Sequence, residues 1–184
     1  MAISEWRVAN SELGRANCEK TAGGASDVTL FATRHSLFAA DAVRIARAWI
    51  GTPYIHQASV KGVGCDCLGL LRGVWRELHG EEAEAPPAYS PDWAEATGRE
   101  TLRLALVRHL TPVDLGALAP GDVALFRMLP RGPAKHCGIV AARHGARTLI
   151  HARQNRRVSE EPLGAFWRAK LAFAFRLPLC LGRA

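Results

Sequence analysis

The sequence has no apolar run long enough to cross a bilayer. About 18 residues are required, and the best stretch, Leu171 to Leu179, is cut by Arg176 and Pro178. It opens MAISEWRVANSELGR, without the basic-then-apolar order of a secretory signal. A soluble chain that is not exported by its own signal is therefore expected. Lysine is scarce: of 24 basic residues only Lys20, Lys61, Lys135 and Lys170 are lysines, a balance that a GC-rich coding sequence also produces. Aromatic residues make up only 7%, and the densest basic cluster, Arg153 with Arg156 and Arg157, has none interleaved for base stacking. Direct nucleic-acid binding is thus not expected, and the net charge of +7 points to an anionic envelope polymer or an acidic protein. The five cysteines form no even framework and are expected to be reduced. No repeat of solenoid period is present.

What is there suffices for one domain. The chain has 184 residues, 48% of them apolar; at about 150 residues per domain, some 30 to 40 are left over. Residues 1–35 show no sustained apolar period and are read as an irregular arm, a docking segment, ahead of a domain at 36–184. Ser36 is the expected N-cap of a helix carrying Phe38, Ala42, Ile45, Ala46 and Trp49, ended by Gly51 and Pro53. A Gly-punctuated loop spans Tyr54 to Gly64. A second helix starts at Cys67, runs through Leu70, Leu71, Val74, Trp75 and Leu78, and stops at Gly80. EEAEAPPAYSPD reads as a solvated acidic, Pro-rich connector, and a third helix is expected from Trp93 to about Leu110. The period then changes to that of strands: VALFRM after Pro120-Gly121-Asp122, then Cys137–Ala142, Arg147–Ala152, Arg157–Glu160 and Leu171–Leu177, with a helical turn near Pro162–Trp167. Helices first and antiparallel strands second describe an α+β domain.

The chemistry concentrates in GCDCLGLLRGVW, residues 64–75. Cys67 stands where a loop passes into a helix, and the open N–H groups and dipole of a helix start stabilise a thiolate. A small buried hydrophobe is the alternative for such a cysteine. Thiolate chemistry also needs a base, itself oriented by a third group. AKHCGIV and LIHAR put His136 and His151 on two strands joined by the turn His144-Gly145-Ala146, with both rings at one sheet edge. Cys65, Cys67, His136, Cys137 and His151 are also zinc-ligand types. The single residue between Cys65 and Cys67, and the adjacent pair His136-Cys137, are poor structural-zinc spacings. Trp49, Trp75, Phe126 and Phe175 read as core; His35, His79, His109 and His144 read as surface.

In this order, GTPY, GCDCLGL, LAPGDVALF, KHCGIV and LIHA resemble the NlpC-type family of papain-like cell-wall cysteine peptidases, and most of all its phage-tail and gene-transfer-particle branch. The likeness runs from about Asp41 to Arg176. It implies a papain-like α+β fold with N-terminal helices packed on an antiparallel sheet. It makes Cys67 the nucleophile, His136 the general base and His151 the group that orients it. Asp66 would recognise a free amine on the substrate, and Tyr54 would line the cleft. No cofactor or metal is implied. The substrate would be the peptidoglycan stem peptide, cut at the D-glutamyl–diaminopimelate bond. The chain would be assembled in the cytoplasm into a phage-like tail tip or baseplate through its N-terminal arm, and would act at the wall of the recipient cell. A tail-tip component using the fold as architecture is the alternative, as is acyl transfer or amidase chemistry on another amide. The chain departs from the family at Leu68, where a small polar residue is usual, and at Ile55-His56-Gln57-Ala58, which shapes the cleft. Cys65, before the Asp-Cys pair, is expected to be inert.

Overall fold

The computed structural model describes residues 25–90 and 98–179. Helix α1, Ala25–Arg47, is followed by a short hairpin of β1 (Ser59–Val60) and β2 (Gly64–Cys65), then by α2 (Cys67–His79) and α3 (Thr101–His109). Strand β3 (Thr111–Val113) and a 3₁₀ turn at Leu115–Ala117 lead into β4 (Val123–Phe126), β5 (His136–Arg143), β6 (Ala146–His151) and β7 (Ser159–Pro162). Helix α4 (Ala165–Lys170) and β8 (Leu171–Arg176) close the order. Six strands form one antiparallel sheet, ordered β3-β8-β4-β5-β6-β7.

Strand alternation divides the sheet's apolar residues between two faces. Val123, Leu125, Cys137, Ile139, Ala141 and Ile150 pack under α1 and α2, against Trp49, Leu70, Leu71 and Val74. Ala124, Phe126, Val140 and Leu149 face the other way, onto Trp167 of α4 and Leu163. Strands β5 and β6 are joined by a two-residue loop, with His144 at φ 51° and Gly145 at φ 77°. Two successive positive φ values match the twist of a tight hairpin, and they fix the register Ile139↔Ile150.

The first helix begins earlier than its sequence suggests. Ser36 is interior to α1, and residues 25–35 of the expected arm are helical. Nothing between Ala25 and Arg47 is glycine or proline, so the chain carries no stop signal there. The rest of the arm, with Cys18, lies outside the described residues, as do Trp93 at the start of the expected third helix and Cys180. The acidic connector is not simply solvated. Glu82 accepts from Arg72 and Arg76 of α2, and Glu84 accepts from Arg108 and contacts His109 Nε2 at 2.8 Å. Basic residues of α2 and α3 thus anchor the carboxylate run that passes over them. His79 and His109 are consequently half-buried rather than surface residues, and His79 stacks on Trp75 with centroids 4.1 Å apart.

Candidate active site

Asp66 caps α2. Its Oδ1 accepts the Gly69 N–H at 2.7 Å, satisfying one of the open donors of the first turn. Its Oδ2 accepts the Gln57 N–H at 2.8 Å and the Tyr89 hydroxyl at 2.5 Å. The carboxylate is only 2% exposed, yet it forms part of the floor of the cleft above it. Cys67 is the next residue, half-buried on the first turn of α2.

The sheet supplies the imidazoles. His136 begins β5 and His151 ends β6. Both rings stand on the α4 side, while Cys137 between them in register points to the helices, where its thiol donates to the Cys67 carbonyl at 3.4 Å. Gly138 makes this arrangement possible: a Cβ there would meet Ile150 O at 2.9 Å and His151 Cβ at 3.0 Å. His136 Nε2 and His151 Nδ1 are 2.8 Å apart. Trp167 stacks on His136 with centroids at 5.4 Å and an interplanar angle of 27°, and meets His151 edge-on.

Electrostatics favour a thiolate at Cys67. The Cys137 thiol beside it, then the adjacent His136 imidazole and its charge, hold the Cys67 thiol well below its ordinary range against the opposing effect of burial. Cys137 is pushed the other way, by the Cys67 thiol beside it and then by burial. The nearby Cys65 is buried, and burial with the Asp66 charge raises its thiol to about 12, which leaves it protonated and inert at neutral pH. His151 falls to about 4, through burial and then the charge of His136, so it is neutral at pH 7. Tyr54 is raised to about 12, chiefly by burial.

Between the helix start and the sheet edge lies a cleft of about 290 Å³. Tyr54, Asp66, Cys67 and His136, singled out in the sequence, line it, and His151 sits behind His136. Sequence reasoning missed three contributors. Tyr89, in the Pro-rich connector, holds Asp66, and its carbonyl accepts Gln57 Nε2 at 2.6 Å. Trp167 walls the base, and Glu161 lies 3.0 Å from His151 Nε2. None of the three carries a local signal beyond its residue type. A larger cavity of about 460 Å³ beside α1, lined by His35, Ser36, Asp122 and Arg176, has no cysteine among its lining residues. Among the described residues no three His, Cys, Asp or Glu side chains are placed to share a metal ion.

No family model matches the chain. A solved NlpC/p60 domain of the peptidoglycan hydrolase SagA superposes with a TM-score of 0.50 at 25% identity, over 76% of this chain and 98% of that one. The chain has the NlpC/P60 fold. An NlpC/P60 family protein from Bacillus cereus aligns over 76% of this chain and 40% of its own, with a TM-score of 0.53 at 24% identity. NlpC2 from Trichomonas vaginalis aligns over 76% of this chain and 46% of its own, with a TM-score of 0.55 at 18% identity. Among curated proteins, gamma-DL-glutamyl hydrolase of Bacillus subtilis is 28% identical over 130 residues, 70% of this chain; the chain spans 27% of that relative's length. Within this NlpC/P60 fold, a thiol at a helix start facing an imidazole backed by a second one is the equipment of a cysteine hydrolase.

Proposed function

We propose that the chain is a cysteine endopeptidase that hydrolyses peptidoglycan stem peptides at the bond between D-glutamate and diaminopimelate. The observation that carries this reading is the cleft that Cys67, on the first turn of α2, shares with His136, whose Nε2 lies 2.8 Å from His151 Nδ1. The thiolate attacks the scissile carbonyl carbon, and the backbone N–H of Cys67, at the positive end of α2, donates to the oxyanion. The tetrahedral species collapses to a thioester as His136 Nδ1–H protonates the departing amine. His136 then takes a proton from water, which attacks the thioester, releases the carboxylate product and restores the thiolate. Substrate charge fits the lining. Lys135, His136 and Arg153 face the cleft with Asp66 as the only carboxylate among its lining residues, which suits a stem peptide bearing free carboxylates. A carboxylate offers about four acceptor positions; Asp66 Oδ2 takes Gln57 and Tyr89, with His56 Nδ1 3.5 Å away, and Oδ1 takes Gly69, which leaves one position on Oδ1 for a substrate amine.

Cys67→Ala is the direct test. Digestion of purified sacculi, read by mass spectrometry of released muropeptides, is expected to fall at least about a thousandfold, with wild type releasing fragments ending in D-glutamate. Release at the wild-type rate would remove Cys67 from the reaction, and fragments cut elsewhere would reassign the bond.

Delivery on a phage-like tail tip is the second part of the proposal. The motif likeness to the phage-tail branch supports it. So does α1, where Leu30 and Leu37 are 57% and 63% exposed one heptad apart on the same side. That face suits docking on a tail-tip or baseplate protein.

A further inference from the structure

Two ring nitrogens 2.8 Å apart share one proton, so the contact between His136 Nε2 and His151 Nδ1 has two forms. In the reactive thiolate–imidazolium pair His136 carries protons on both nitrogens. With Nε2 set against His151, Nδ1 is the nitrogen left to serve Cys67 across the cleft, and the Nε2–H must find a bare nitrogen on His151. His151 must then be neutral with its own proton on Nε2. Were the proton on His151 Nδ1 instead, His136 Nε2 would have to be bare, and the imidazolium could not form without two protons colliding. The chemistry at Cys67 therefore depends on which nitrogen of a second, buried histidine is protonated.

What fixes that choice is the group facing His151 Nε2. Among the described residues the acceptor within reach is Glu161 Oε1, at 3.0 Å, off the line of a well-directed bond. Hydrogen bonds of this kind often tighten only when substrate binds. Glu161 is itself fixed. Strand pairing sets it opposite Leu149, on the α4 side of β7, and its Oε1 accepts the Trp167 indole N–H at 2.8 Å. The same Trp167 stacks on His136, so one carboxylate orders both the second imidazole and the wall of the first. Arg153 Nη1, 3.5 Å away, keeps a cation beside that carboxylate.

We propose that Glu161 is a positioning residue of this site: by accepting the Nε2 proton of His151 it holds that ring in the tautomer whose bare Nδ1 receives His136. The proposal rests on the hydrolytic reading of Cys67 and His136 and extends it by one residue. The groups facing His151 that bear on its protonation are His136, Glu161 and Arg153. Burial and the His136 charge keep the His151 ring neutral, as this assignment requires.

The test uses the full chain and three readings. Nitrogen NMR of histidine-labelled wild type should show neutral His151 with its proton on Nε2; a proton on Nδ1 overturns the proposal without any variant. Alkylation of Cys67 by iodoacetamide against pH, followed at the Cys67 peptide, reads the thiolate without substrate. In Glu161→Ala its titration limb should rise by about one pH unit, and kcat on stem peptide should fall about tenfold or more with KM within about twofold. Glu161→Gln, whose amide oxygen still accepts from Nε2–H, should restore kcat to within about threefold of wild type. A Glu161→Ala protein with the wild-type tautomer, limb and kcat overturns the assignment. Wild type that shows the low thiolate limb but cuts no stem peptide overturns the substrate reading instead, and leaves the tautomer and alkylation readings to decide this one.

Discussion

Glu160 shows how much one side chain on an edge strand can carry. It lies next to Glu161 in β7 but on the opposite face, under α1, with its side chain 3% exposed. It accepts from Arg47 Nε at 3.0 Å and Nη2 at 2.9 Å, from Thr148 Oγ1 at 2.7 Å and from Arg143 at 3.2 Å. The Arg47 bond first, then Thr148 and the charges of both arginines, hold its carboxyl at about 2 against burial, from an ordinary 4.5. A depressed carboxyl adds stability that is complete above 4.5 and is lost as pH falls from 4.5 toward 2, because there the unfolded chain binds the proton first. Glu160→Gln should therefore be about 2 kcal/mol less stable than wild type at pH 7. That gap should shrink to about a quarter by pH 2.5 in urea unfolding; an undiminished gap at pH 2.5 would mean the charge of Glu160 is not its source. At this scale Cys67, His136 and His151 were legible because thiol and imidazole are rare and their chain positions were informative. Glu160 and Glu161 were not, since two glutamates in a short edge strand have the sequence appearance of a solvated surface.

At the scale of elements, α2 matters more than its length suggests. Glycines inside a helix ordinarily weaken it by about 1 kcal/mol relative to alanine. Gly69 is there because the hairpin backbone crosses it: a Cβ would lie 1.8 Å from the Ala58 carbonyl oxygen. The same crossing lets Ser59 Oγ donate to the Gly69 carbonyl at 2.6 Å and carries the Gln57 N–H onto Asp66. Gly73 leaves similar room for Trp49 of the turn after α1. Gly69→Ala should thus reverse the usual sign, destabilising by about 1–3 kcal/mol through overpacking and lowering kcat as the hairpin lifts from the capped end. Chemical unfolding with a parallel activity assay decides it, and a variant as stable as wild type would show that the hairpin yields freely. Apolar spacing made α2, β4, β5, β6 and β8 legible, and Gly80, at φ 83°, ends α2 where expected. The hairpin β1–β2 and the edge strand β3 were not, because strands of two or three residues are defined by partners distant in sequence.

For the whole molecule, the unresolved question in the sequence was what to do with its surplus before the domain. The helical pattern was legible only from Phe38 onward, where burial imposes a period. Ala42, Val43, Ile45, Ala46 and Trp49 pack into the core, whereas none of the described side chains from Thr29 to Ala40 is fully buried. An isolated helix shorter than about 12–15 residues is marginal in water, so the projecting turns of α1 gain from a surface laid against Leu30 and Leu37. The cleft at Cys67, by contrast, takes no side chain from those turns. Docking and hydrolysis should therefore separate. Leu30→Asp with Leu37→Asp changes two exposed side chains of α1 that take no part in the buried core, so the fold should survive. Stem-peptide hydrolysis by this double variant should stay within about twofold of wild type, while its recovery in purified phage-like particles, measured by immunoblot, should be lost. Unchanged recovery in the particles would remove this face of α1 from the assembly, and a parallel loss of hydrolysis would show that these turns support the cleft after all.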